Sequence, residues 1–117
     1  MGKPHEQLDA WKYSMQLANA VYQLTTDFPI EERYGLAQQM RRAAVSIPSN
    51  LAEGSGRNGT KEYIYVIGIA RGSLAELDTQ LQLAVMLDFA KSNHISFELA
   101  ERTGKLLTGL HKKWNAQ

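Results

Sequence analysis

The chain contains no cysteine, so disulfides and thiolate chemistry are excluded and a reducing compartment is compatible with it. It also lacks any long apolar run. The roughly 20 apolar residues of a membrane span are nowhere approached, and the N-terminal MGKPHEQLDAW has no apolar core of the signal-peptide kind. The expectation is a cytoplasmic protein with no membrane role, in which the glycosylation triplet Asn58-Gly59-Thr60 would not meet its transferase. Catalytic patterns are missing as well. No serine stands in a nucleophile elbow, and no spaced pair of acids falls on an apolar helix face. His5, His94 and His111 are scattered over a tail, a loop and a basic helix end. The paired Glu-x-x-His sequences with which helix bundles hold two metal ions are absent too. These absences predict a protein that is not an enzyme and that carries no metal and no cofactor. Glu53 and Glu76 are the best candidate acids for a polar interior, and the role expected of each is a salt bridge to an arginine.

What is present describes one soluble domain, residues 1–117, with 44% hydrophobic and 21% charged residues and enough chain for a single core. The net charge of +1 conceals an alternation. Residues 1–32 carry two bases and five acids, a balance of −3, and residues 72–101 carry one base and five acids, a balance of −4. Residues 33–71 stand at +4, from Arg33, Arg41, Arg42, Arg57, Lys61 and Arg71 against Glu53 and Glu62. Residues 102–117 add +4 from Arg102, Lys105, Lys112 and Lys113. Such blocks create a polar field if they gather on different faces, and otherwise form an ordinary salt-bridged helix surface.

Apolar periodicity predicts four helices, at roughly 7–27, 31–55, 60–88 and 96–114. The first carries one stripe of Leu8, Trp11, Met15, Ala18 and Tyr22 and another of Ala10, Leu17, Val21 and Leu24, more than a single neighbour would cover. Asp27-Phe28-Pro29 ends it, because the residue before a proline avoids helical geometry, and Glu31 and Glu32 suit the positive end of the next helix. In the second helix Leu36, Met40, Ala43, Ala44, Ile47 and Leu51 form the core arc, with Gln38, Arg41, Arg42 and Val45 opposite. Pro48 falls inside this pattern, where it costs about 3 kcal/mol. The period nevertheless resumes at Leu51, which predicts a kinked, continuous helix with Ser46 and Asn50 satisfying freed backbone groups.

The third helix, capped by Thr60, has a heptad seam of Tyr63, Ile67, Ala70, Leu74, Leu77, Leu81 and Ala84. Ile64, Tyr65, Val66 and Ile69 make its first half apolar nearly all round, so either two neighbouring helices enclose it or another subunit covers it. Gly68 and Gly72 predict a close contact, and helix packing suffices to explain them. Ser96 is expected to cap the fourth helix, whose buried stripe is Phe97, Ala100, Leu107, Leu110 and Trp114. Gly54-Ser55-Gly56-Arg57-Asn58-Gly59 spells GxGxxG, but a helix precedes it where a nucleotide-binding turn needs a strand. It reads as a corner between helices, beside which Arg57 and Lys61 could meet an anion at the next helix's free amides.

Several segments occur together in order: Glu32-Arg33-Tyr34-Gly35-Leu36, Gln39-Met40-Arg41-Arg42-Ala43-Ala44, Ser46-Ile47-Pro48-Ser49-Asn50, Ala52-Glu53-Gly54 and Ala70-Arg71-Gly72-Ser73-Leu74-Ala75-Glu76. With Trp11 and Phe28-Pro29 they resemble the bacterial four-helix-bundle family encoded in intervening sequences of 23S rRNA genes, to which the accessory variability protein of diversity-generating retroelements is related. The resemblance covers nearly the whole chain. It implies an all-α, up-down-up-down antiparallel four-helix bundle assembling as a ring-shaped homopentamer. For the retroelement relatives it implies a basic surface that engages nucleic acid and a reverse transcriptase.

Two readings of function follow. In the first, a homo-oligomeric, pentameric scaffold contacts RNA or DNA phosphates without reading bases, through Arg41, Arg42, Arg57, Lys61, Arg71, Lys105, Lys112 and Lys113. In the second, the protein is an interaction scaffold with no nucleic-acid role, and its arginines bridge to Glu53, Glu62 or Glu76 to hold the bundle and ring together. Arginines buried against carboxylates would favour the second reading.

Overall fold

The computed structural model describes residues 4–55 and 59–116. Arg57 and the rest of the Gly56–Asn58 corner lie outside the described residues. The described residues form four α-helices, α1 (Asp9–Thr26), α2 (Leu36–Ser55), α3 (Thr60–Met86) and α4 (Ile95–Asn115), with short 3-10 turns at Pro4–Gln7 and Ile30–Glu32. No strand occurs among the described residues. α1 and α3 each pack against both α2 and α4, so the four enclose one core, in which Leu17, Met40, Ile47, Leu77, Leu81 and Leu107 are fully buried. None of the described helices is long and apolar enough to cross a membrane.

The two stripes of α1 are not equal. Ala10, Leu17, Val21 and Leu24 are buried, whereas of the other set only Ala18 is, Leu8 and Trp11 are half-buried, and Met15 and Tyr22 are exposed. α2 starts at Leu36, several residues later than the apolar pattern suggested, because Ile30–Glu32 forms a separate 3-10 turn. Glu32 explains the new start. Its Oε1 accepts a hydrogen bond from the Leu36 amide at 3.0 Å, capping α2 and placing a negative charge at its positive end. Gly35 makes room for this, since a Cβ there would stand 2.7 Å from the same Oε1.

α2 runs unbroken through Pro48, whose ring is buried. Asn50 Nδ2 donates to the Ser46 carbonyl at 2.7 Å and to Ser46 Oγ at 3.0 Å, a local backbone bond that falls on Ser46 and not on the Ala44 carbonyl, from which Pro48 removes the usual partner. Ser46 Oγ goes further and meets Ser73 Oγ of α3 at 2.8 Å, tying the proline-containing turn to the neighbouring helix. One turn later Gly54 lets α3 come close, because an added Cβ would meet Tyr63 at 3.0 Å and Val66 at 3.1 Å.

The expected caps of α3 and α4 shift by one or two residues. Thr60 is the first residue of α3 and not its cap; the cap is Gly59, at φ +118°, with no side-chain hydrogen bond. α4 is capped by His94, whose Nδ1 accepts from the Ser96 amide at 3.1 Å, while Ser96 itself is buried. Imidazole does here what a serine was expected to do, because the chain reaches helical geometry at Ile95, one residue before Ser96. The seam of α3 is buried throughout except at Leu74, which is half-buried. In α4, Ala100 and Leu107 are buried and Phe97, Leu110 and Trp114 are half-buried.

The first half of α3 is not enclosed on every side. Val66 and Ile67 are buried, but Tyr65 and Ile69 are 70% and 38% exposed. On the same outer surface Gly68 and Gly72 are exposed and have nothing within 4 Å of where a Cβ would stand. Packing within the chain, among its described residues, therefore does not account for these two glycines.

Candidate nucleic-acid interface

Adjacent residues on a helix point about 100° apart, and the Arg41-Arg42 pair is divided by that rotation. Arg41 turns toward α1. Its Nε donates to Thr25 Oγ1 at 2.7 Å, its Nη2 to the Tyr22 carbonyl at 3.3 Å, and its guanidinium lies 4.6 Å from the centre of the Tyr22 ring. α1 has no basic residue in its own last turn, so Arg41 supplies from α2 the positive charge that its carbonyl end favours. Arg42 turns outward, exposed and without a hydrogen bond or ion pair among the described residues.

Between them lies a groove of about 580 Å³ lined by Tyr22, Arg33, Tyr34, Gln38, Arg41 and Arg42. No acidic residue is among its described lining residues. Glu32, the nearest acid in sequence, has its carboxylate committed to the Leu36 amide. Three arginines thus line one concave surface on whose described wall no carboxylate stands, an arrangement that attracts an anion even though Glu32, held at the Leu36 amide, keeps its charge. On its other flank Arg42 borders a second groove with Gln39, Ser73 and Glu76, yet no ion pair forms there; the Glu76 carboxylate accepts from Gln80 Nε2 at 3.2 Å.

The remaining candidate bases do not join this groove. Arg71 is exposed on α3 in a separate hollow shared with Asp78 and Glu101. Lys105 is paired with Glu101 at 3.3 Å, one turn away on an exposed face of α4. Lys61 is the second residue of α3, and Lys112 and Lys113 lie in the last turn of α4. Lys61 is therefore far from Arg42, from which α2 runs on for about 20 Å before the corner that precedes α3. The lysine end of the molecule has a different character: Leu8, Gly54, Tyr63 and Trp114 line a hollow of about 350 Å³. There the Tyr63 ring meets Trp114 edge-on at 4.8 Å, and burial pushes the Tyr63 hydroxyl above its ordinary pKa.

Arg33, Tyr34, Tyr22 and Gln38 were not among the candidate site residues read from the sequence. A signal for them existed. Tyr34, Gln38, Arg41 with Arg42, and Val45 recur at steps of three and four, so one polar stripe continues across the start of α2 into the preceding turn. Tyr22 was masked by its place in an apolar stripe and is explained by Arg41 stacking on it.

No curated protein matches the chain. A family model for 23S rRNA-intervening sequence proteins matches residues 6–110, which takes in all of α1, α2 and α3, most of α4, and every residue of the groove. The first three helices, most of α4, the arginine pair and the proline-containing turn fall within that match, and the chain belongs to the 23S rRNA-intervening sequence protein family.

Proposed function

We propose that this protein is a non-enzymatic, cytoplasmic scaffold, an up-down-up-down antiparallel bundle assembled into a homopentameric ring that engages the RNA or DNA backbone through its basic surface. The observation that carries this reading is the convergence of Arg33, Arg41 and Arg42 on one groove with no acid among its described lining residues. Arg41, Arg42 and Arg71 make no ion pair with a carboxylate among the described residues, whereas the purely structural reading required such pairs. The outward Tyr65, Gly68, Ile69 and Gly72 of α3 support assembly, since a second copy would cover apolar surface that the protomer leaves in water. Repeating a weak groove around a ring raises its avidity, and a reverse transcriptase is a further candidate partner where the gene sits in a retroelement.

The experiment is RNA and DNA binding measured against salt. Three phosphate contacts in one groove predict a roughly 20- to 40-fold loss of affinity between about 50 and 200 mM salt. The double variant Arg33→Gln with Arg42→Gln should flatten that slope. Salt-independent binding, or none at low salt, would refute the reading.

A second reading keeps the protein as an interaction scaffold with no nucleic-acid role. It is favoured by Arg41 and Lys105, whose charges are already engaged within the protomer, one by Thr25 and Tyr22 and the other by Glu101. Arg42 and Arg33 separate the two readings, because neither is engaged in this way.

A further inference from the structure

Tyr34 is 81% exposed, the most open of the large hydrophobic side chains described. It follows Arg33 directly in the chain and lines the same groove as Gln38 and Arg42. No ring and no guanidinium packs on it among the described residues, whereas the other tyrosine of the groove, Tyr22, carries Arg41 on its ring at 4.6 Å. An open aromatic face flanked by unpaired arginines is the pairing with which proteins hold unpaired bases. The ring stacks a base whatever its identity, and the neighbouring cations take the phosphates on either side.

A duplex cannot use such a site fully, because its base faces are already stacked and only its phosphates and groove edges are available. An acidic protein surface would satisfy the arginines but would leave the Tyr34 face without a flat partner.

We infer that the groove seats a single-stranded segment of nucleic acid, with one base stacked on Tyr34 and the adjoining phosphates on Arg33 and Arg42. This rests on the nucleic-acid reading above and narrows it to single strands. Gln38, exposed on the groove wall, is placed to donate to the backbone or to the edge of the stacked base. Arg41, already ordered against Thr25 and Tyr22, fixes the Tyr22 wall and adds a third positive charge to the groove.

The test is fluorescence anisotropy with labelled oligouridylate of about ten nucleotides and a duplex RNA of the same length. Uridine 5′-monophosphate serves as competitor, and sedimentation gives the size of the protein. The single strand should bind more tightly than the duplex. Tyr34→Ala should weaken single-strand binding by roughly 5- to 30-fold and leave duplex binding unchanged, while Tyr34→Phe, which keeps the ring, should stay within about twofold of the parent. Because Tyr34 is exposed, these variants should leave helicity by circular dichroism unaltered.

Equal loss on strand and duplex, or no loss from Tyr34→Ala, would overturn the inference. If steep salt dependence persisted in that case, the broader nucleic-acid reading would stand. Competition by uridine monophosphate with the same Tyr34 dependence would reassign the site to a free nucleotide. A change in sedimentation of Tyr34→Ala would make the groove a subunit contact. Absence of any binding at low salt would remove the inference together with the reading on which it rests.

Discussion

Replacing Arg41 by glutamine should cost the fold about 1 kcal/mol, while the same change at its neighbour Arg42 should cost less than about 0.5. The difference follows from what the two guanidinium groups touch. The Arg41 Nε bond to Thr25 Oγ1, at 2.7 Å, has a charged donor and a buried acceptor, worth about 1.5 kcal/mol at the lower end for such bonds. Stacking on Tyr22 adds about 0.5–1, and the positive charge beside the carbonyl end of α1 adds about 0.3–1. Ordering a long side chain offsets up to about 2 kcal/mol of this sum, and the half-exposed position of Arg41 keeps each contribution toward its lower end. Arg42 has no such contacts to lose. Urea unfolding at one fixed protein concentration, which holds any mass-action contribution from assembly constant, should move the midpoint of Arg41→Gln down by about 0.5 M. A double-mutant cycle with Thr25→Val should return a coupling of about 1 kcal/mol. Equal losses at the two arginines, or a coupling near zero, would refute the assignment of Arg41 to the bundle.

Gly54→Ala should destabilise by about 1–2 kcal/mol despite alanine's better helix propensity, because the new methyl would press on Tyr63 and Val66; thermal unfolding checks this. Gly68→Ala and Gly72→Ala should instead stabilise the isolated protomer by about 1 kcal/mol each, since the space there is open, and yet lower the oligomer's mass in sedimentation if that face is a subunit contact. Tyr63 sets an alkaline prediction. Its raised pKa means that above about pH 10 the unfolded chain loses this proton first, so the folded state binds more protons and stability falls as pH rises through the folded pKa. Tyr63→Phe should flatten that decline by at most about 1.4 kcal/mol per pH unit, read from urea midpoints across the range.

The existence and order of the four helices were legible because each carries an apolar stripe long enough to declare its period. Pro48 did not obscure α2, since Leu51 resumes the arc and Asn50 and Ser46 supply hydrogen bonds around the turn. Ends were less legible. Glu32 looked like a residue of the first turn of α2, but its carboxylate reaches forward to the Leu36 amide, and only the space left by Gly35 permits that. A histidine cap on α4 was equally hidden, because imidazole at a helix start has no strong sequence preference behind it. At the candidate site the sequence singled out the arginines by charge but not their grouping. Charge says nothing of distance, and Lys61, Lys112 and Lys113 are placed at helix ends away from the groove. Tyr22 was missed because an aromatic residue at helical spacing defaults to the core, and Tyr34 because it lies in the lead-in to the second helix and carries no charge; both are exposed.

The division of Arg41 from Arg42 also decides which variants can report on binding. Folding already fixes Arg41 against Thr25 and Tyr22, so a phosphate entering the groove meets one ordered guanidinium whose conformational freedom was lost beforehand. Arg33 and Arg42 must be ordered by the ligand itself. A substitution at Arg41 would therefore remove a charge, release the Tyr22 ring and weaken the end of α1 at the same time, and any loss of binding would have several causes. Substitutions at Arg33 and Arg42 change the charge of the groove while leaving these contacts in place. For the same reason a lysine at position 42 should preserve most phosphate affinity, whereas a lysine at position 41 should not preserve stability, because a point charge cannot make the Nε bond to Thr25 and stack on Tyr22 together.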